Sequence, residues 1–288
     1  MLKSISQAYN NLFRIIHGML PKLDSPDIEV AFKEAEMLAK AAGSVECFEL
    51  ASPHINSYLY NFGEKMYASI FNDPPRWLKM SCALKSGPIF KAAITHIVGQ
   101  YPHWPWTSIS NDGLPEELRS MIRLKVDEMS NVKSRVDGSL YASTLANGEQ
   151  EVSLFNLDRP SINSWLVVAS WRDWYCHSLS QSNVAGHMGK SDAQMYRLMA
   201  RGGGTYLPLA SVLEKLRELK GSNLTPADME EAAHDLRIMK EYAAEQVKPL
   251  CINRSMLDVD DHDIGYFTCV EITDAELPWV PKDGVDEV

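Results

Sequence analysis

Paired thiols are missing from this sequence. Its five cysteines, Cys47, Cys82, Cys176, Cys251 and Cys269, stand far apart, and none belongs to a CxxC pair. The odd number and wide spacing argue against a disulfide framework and against a zinc finger. Reduced, mostly buried thiols fit better, with the cytoplasm or nucleus as the expected compartment. Long apolar runs are missing too. No stretch approaches the ~20 apolar residues of a membrane span, so no transmembrane segment is expected. The opening MLKSISQAYNNLFRIIHGML is interrupted by polar residues and makes a poor signal peptide. The sequons at Asn223 and Asn253 therefore carry little weight. An excess of positive charge is also absent: 28 Lys and Arg face 38 Asp and Glu, a net charge of -10. A general binder of nucleic acid or anionic membrane would more often be basic. No internal repeat is visible.

What is present is an ordinary globular composition, 45% hydrophobic and 23% charged over 288 residues. That length suits one large domain or about two. Helical spacing dominates. Leu12, Ile15, Ile16 and Met19 form one face. Val30, Ala31, Glu34, Leu38 and Ala41 form another, ended by Gly43. A helix over 45–59 is expected to be divided by Pro53. In DPPRWLKMSCALKSGPIFKAAITHIVGQYP, residues 73–102, Asp73 and Ser86 can cap two helices whose first turns tolerate proline. Trp77, Cys82 and His96 read there as packing or surface residues. The longest helix is expected over 114–140, with Leu118, Ile122, Val126, Met129, Val132, Val136 and Leu140 at three- and four-residue spacing. Further helices are expected over 162–174, 192–200, 207–219 and 226–247, the last capped by Thr225 with Asp228.

The C-terminus reads differently. From Leu257 to Val288 there are ten Asp or Glu and one Lys, and no sustained helical period. GYFTCVEI, 265–272, is a short edge strand or an extended run. The bland reading of this tail is solubilising disorder; the sharper one is an acidic ligand for a basic partner. The fold class is thus an all-α dominated, irregular multi-helix bundle with an option of one short C-terminal strand and an extended acidic tail.

RIIHG at 14–18 and FKEAEMLAKAAGSVECFELASPHI at 32–55 resemble the C-terminal helices of a fungal BTB/POZ-like domain. PPRWLKMSCALKSGPIFKAAITHIVGQYP at 74–102 and LPEELRSMIRLKVDEM at 114–129 resemble the helical extension of fungal BTB-domain proteins. The resemblance covers about residues 10 to 140. It implies truncated BTB-like helices over 1–60 and a helical extension over 61–145; spacing and charge add a C-terminal helical region over 146–256 and an acidic, poorly ordered tail over 257–288. The strands and helices that open a complete BTB domain do not precede RIIHG, so a shortened relative or a truncated gene product is expected. The family supplies binding surfaces, not a catalytic centre. It raises the option of a regulatory protein acting with a transcription or ubiquitin-ligase complex.

Candidate chemistry is thin. GHMGKS at 186–191 ends like a phosphate-binding loop, but Val184 stands where the pattern requires glycine. GGG at 202–204 supplies mobility without specifying phosphate contacts. Asp260, Asp261, His262 and Asp263 offer oxygen and imidazole donors, yet adjacency does not build a coordination sphere. No cofactor, metal site or catalytic residue is assigned. Cys176 beside His177 is the one thiol–base pair from which an enzyme pocket could be assembled. Trp165, Trp171, Trp174 and Tyr175 cluster on one helix, as core or as an aromatic groove for a peptide. Arg119, Arg123 and Lys133 on the long helix offer a second partner surface. The expected function is a non-enzymatic helical scaffold or adaptor for an unidentified protein or peptide, itself a monomer or weak dimer. The alternative is an enzyme using Cys176 and His177.

Overall fold

The computed structural model describes residues 2–147, 150–151, 162–182 and 191–281. The fold is all-α, and eleven α-helices lie among the described residues: α1 (Leu2–Ile16), α2 (Ile28–Ser44), α3 (Phe48–Tyr60), α4 (Glu64–Asn72), α5 (Pro74–Leu84), α6 (Gly87–Gln100), α7 (Glu116–Ala142), α8 (Ile162–Ser182), α9 (Asp192–Arg201), α10 (Leu209–Lys220) and α11 (Pro226–Cys251). Ala146–Asn147 (β1) pairs antiparallel with Gln150–Glu151 (β2). Of GHMGKS at 186–191, all but Ser191 lies outside the described residues.

The chain forms two irregular helical units. One comprises Met1–Val126, Asn253–Asp263 and Val270–Val288; the other comprises Asp127–Ile252 and Ile264–Cys269. The boundary between Val126 and Asp127 falls inside α7.

Local chemistry explains most helix limits. Asp27 caps α2 by accepting the Val30 N–H at 2.9 Å. Ser191 and Gln194 form a reciprocal capping box on α9, and Thr225 and Asp228 form one on α11. Asp73 and Ser86 occupy N-cap positions of α5 and α6, but neither side chain caps. Asp73 instead accepts from Ser108 Oγ at 2.6 Å, and Ser86 Oγ bonds the Tyr60 hydroxyl at 2.7 Å. The break between α5 and α6 is made by Lys85 in the left-handed region at φ 51°. Pro53 does not divide α3. It sits at the sixth helical position, and the carbonyl its ring would clash with belongs to exposed Glu49.

In the first unit, α2 buries Ala31, Phe32, Ala35, Leu38 and Ala42, and α6 buries every residue from Ile89 to Val98 except Lys91. Trp77 is fully buried, edge-on to Phe32 at 4.6 Å, and donates its indole N–H to Ser69 Oγ at 3.1 Å. The α1 helix buries Ala8, Leu12 and Ile15 while leaving Ile5, Phe13 and Ile16 exposed. The second unit packs Leu140, Trp171, Tyr175, Tyr196, Met199, Leu236, Met239 and Val247 into one core.

The expected poorly ordered tail is instead a packed strap through residue 281. In the first unit Leu257, Val270, Ile272 and Leu277 are buried, and Trp279 meets Phe90 at 5.5 Å. Three of its carboxylates are tied: Glu271 to Arg254 at 3.1 Å, Asp274 to Lys91 at 2.7 Å and Glu276 to Lys125 at 2.6 Å. In the second unit Arg197 donates to the carbonyls of Ile264 and Tyr266, and Ser191 Oγ donates to that of Gly265. GYFTCVEI is extended and pairs with no strand. Its backbone is held by side chains and its apolar residues by helices, so it has sequence alternation without a sheet.

Candidate functional site

The predicted cations of α7 are already occupied by the chain's own carboxylates. Arg119 meets Glu116 at 2.6 Å and Asp112 at 3.6 Å; Arg123 meets the same Glu116 at 3.4 Å. Lys133 lies 2.8 Å from Asp137 and 3.0 Å from Asp192. Burial pushes the Lys133 pKa down, but the hydrogen bonds its ammonium donates to these two carboxylates outweigh it and the pKa is raised. A partner would have to displace these pairs to use this face.

The aromatic cluster of α8 belongs to the core. Trp171 and Tyr175 are fully buried, stacked at 6.4 Å, so neither presents a face to a peptide. The Tyr175 and Tyr196 hydroxyls both donate to Asp137 Oδ1. Burial raises both phenol pKa values, reinforced by Asp137. Trp165 and Trp174 are half-buried against the same core, Trp174 at 4.8 Å from Tyr206. The shared helical face of 171, 174 and 175 is real, but it points inward. Cys176 and His177 are both exposed on α8. Consecutive helical positions diverge by about 100°, so the two side chains do not share a face. Nor do three or more His, Cys, Asp or Glu side chains converge as metal ligands among those residues. Asp258 accepts the backbone N–H groups of Asp260 and Asp261, forming a local turn, while His262 faces Glu64 at 3.6 Å.

A different set of residues builds a groove in the first unit. Phe32, Ala39, Phe48, Met80, Ala83 and Ile109, from α2, α3, α5 and the loop between α6 and α7, line a cavity of about 440 Å³. Its rim carries Lys40, Arg76, Lys79 and Glu36. Helical spacing supplies each wall. Residues 32, 36, 39 and 40 share a face of α2; 76, 79, 80 and 83 share a face of α5. The loop wall is fixed because Trp104 donates to the Ile109 carbonyl at 2.9 Å and Ser108 donates to Asp73.

Arg76 is held over the groove floor by a chain of contacts. Trp77 donates to Ser69, Ser69 donates to Glu29 at 2.7 Å, and Glu29 binds Arg76 at 2.7 Å. The guanidinium carbon then rests 3.8 Å above the Phe32 ring, a cation–π geometry. Burial pushes the Glu29 carboxyl up, but the hydrogen bonds from Arg76 and Ser69 outweigh that and hold it below its ordinary value. Lys40 pairs with Glu36 at 2.9 Å. Lys79 is exposed and has no carboxylate partner among the described residues. The result is an apolar floor with a net basic rim on an acidic chain.

No family model, curated protein or solved structure matches this chain. The chemistry is therefore argued from the geometry alone. The groove offers aromatic and aliphatic contact surface with cations at its edge, and no adjacent nucleophile–base pair. It is suited to holding a group with an apolar body and an acidic flank. Sequence reasoning missed it because its walls come from three helices and a loop. Each wall showed helical spacing, which is also the signature of ordinary packing.

Among the described residues no helix is long and apolar enough to cross a membrane.

Proposed function

We propose that this protein is a non-enzymatic helical adaptor, and that its groove over Phe32 holds an apolar segment of a partner protein flanked by Asp or Glu. The observation that carries this reading is the joint presence of accessible apolar walls, Phe48, Ala83 and Ile109, and a basic rim, Arg76 and Lys79. A surface of that kind concentrates contact energy on a few anchors and selects partner charge at its edge. The resemblance of residues 10–140 to BTB-like helices and their extension supports a binding role in the cytoplasm or nucleus. The site moves from the α8 aromatics to α2, α3 and α5.

A random peptide library displayed on phage and selected on the full chain tests the reading. Recovered peptides are expected to pair apolar anchors with acidic flanks. Ala83→Trp, at an exposed groove-lining position, should block them by filling the cavity, and Lys79→Glu should weaken them by reversing the rim. Failure to enrich any peptide defeats the proposal. So does enrichment of peptides that bind the Ala83→Trp variant equally well.

A further inference from the structure

The second unit contains a buried ammonium with no carboxylate partner among the described residues. Lys240, on α11, is 7% exposed. Its Nζ donates to the carbonyls of Gly203 and Tyr206, the latter at 2.8 Å, and lies 4.8 Å from the centroid of the Tyr206 ring. Two carbonyl dipoles and a ring face offset only part of the cost of burying a full charge. An ammonium has three N–H donors, and one of these is unclaimed by the described residues. Burial pushes the Lys240 pKa down, as expected for a cation lacking an anion.

Lys240 opens onto a cleft of about 470 Å³, within the range of small-ligand sites. The cleft also receives Arg201, Arg237, Glu241 and the Gly202–Gly204 loop. Glu241 is held by Arg237 at 2.8 Å, which leaves the Lys240 ammonium without a carboxylate among the described residues lining the cleft. Gly202 and Gly203 take φ of +63° and +60°, a conformation that other residues adopt only with strain. The N–H groups of Gly203 and Gly204 donate to no protein acceptor among the described residues, and both glycines are exposed. Amides in a glycine turn beside cations form a concavity suited to anions.

We propose that this cleft binds a small oxyanion ligand, a phosphate ester or a carboxylate, whose charge is met by Lys240 and Arg237 and whose oxygens accept from the Gly203 and Gly204 amides. The site is independent of the groove in the first unit. A ligand here is a small-molecule signal or cargo carried by a protein whose other unit holds a peptide.

Amide NMR on the full chain, titrated at constant ionic strength, tests the proposal with inorganic phosphate in one arm and acetate in the other. Saturable shifts are expected at Gly203 and Gly204. Phosphate alone saturating assigns a phosphate ester. Acetate saturating, alone or with phosphate, assigns a carboxylate-type ligand. Arg237→Gln should weaken binding by about ten-fold, the effect of losing one charge-assisted contact. Lys240→Gln should abolish it. Because Lys240 also pins the glycine loop, the exposed Arg237 variant keeps the test valid if the first fails to fold. Shifts that do not saturate, or that saturate equally in Arg237→Gln, overturn the proposal.

Discussion

Trp77 shows how one side chain links the core of the first unit to its groove. It is fully buried, packs edge-on to Phe32 and donates to Ser69, which orients Glu29 and, through it, Arg76. Trp77→Ala should cost about 3–5 kcal/mol, from lost contact and a cavity that backbone cannot fully close. Trp77→Phe should cost less, because Ser69 keeps Glu29 as a partner. Urea unfolding of both variants measures the difference; equal loss in the two would show that the indole hydrogen bond, not packing, carries the effect. His96 makes a second residue-scale prediction. It is fully buried, and burial, with a smaller contribution from His262, pushes its pKa from 6.5 down to about 4. The unfolded chain therefore takes up the proton near pH 6.5, whereas the folded chain resists it until about pH 4. Stability from this residue is intact above pH 6.5 and is lost as pH falls through that window, by about 3 kcal/mol in all. Urea titrations at neutral and mildly acid pH should show this slope, and His96→Leu should flatten it. An unchanged slope in the variant would place the acid sensitivity elsewhere.

At the scale of elements, the strap is packed through residue 281, where a poorly ordered tail over 257–288 was expected. It buries Leu257, Val270, Ile272 and Leu277 in the first unit and ties Glu271, Asp274 and Glu276 to basic partners. Burial pushes the Glu276 carboxyl up, but hydrogen bonds from Lys125 and Thr273 outweigh it and hold the group below its ordinary value. Ending the chain after Met256 should lower the unfolding midpoint and expose apolar surface that binds a hydrophobic dye. Unchanged cooperative unfolding would restore the earlier expectation. The sequence concealed the strap because side chains hold it, so neither a 3.6-residue nor a two-residue period had to be kept. By contrast α2, α9 and α11 were legible. Their apolar residues recur at helical spacing, and Thr225 with Asp228 caps α11 as expected; the caps at Asp27 and Ser191 were not read from the sequence.

For the whole molecule, the exposed face of α1 bears on association. Ile5, Phe13 and Ile16 are exposed there, with Met19 and Leu20 just beyond. With a net charge of -10 the chain repels its own copies, so a monomer or a dimer that dissociates on dilution is expected. Sedimentation equilibrium across a concentration series checks this, and a dimer that survives dilution would refute it. By itself the sequence determined an all-α fold, most helix positions, and Trp77 as a packing residue, because periodicity and caps act over a few neighbouring positions. Only the tertiary structure decided that α8 turns Trp171 and Tyr175 inward, that α7's cations are spent on internal carboxylates, and that Lys240 meets Gly203. Those outcomes depend on which faces pack together across separations such as 37 residues between Gly203 and Lys240, and local spacing carries no record of that choice.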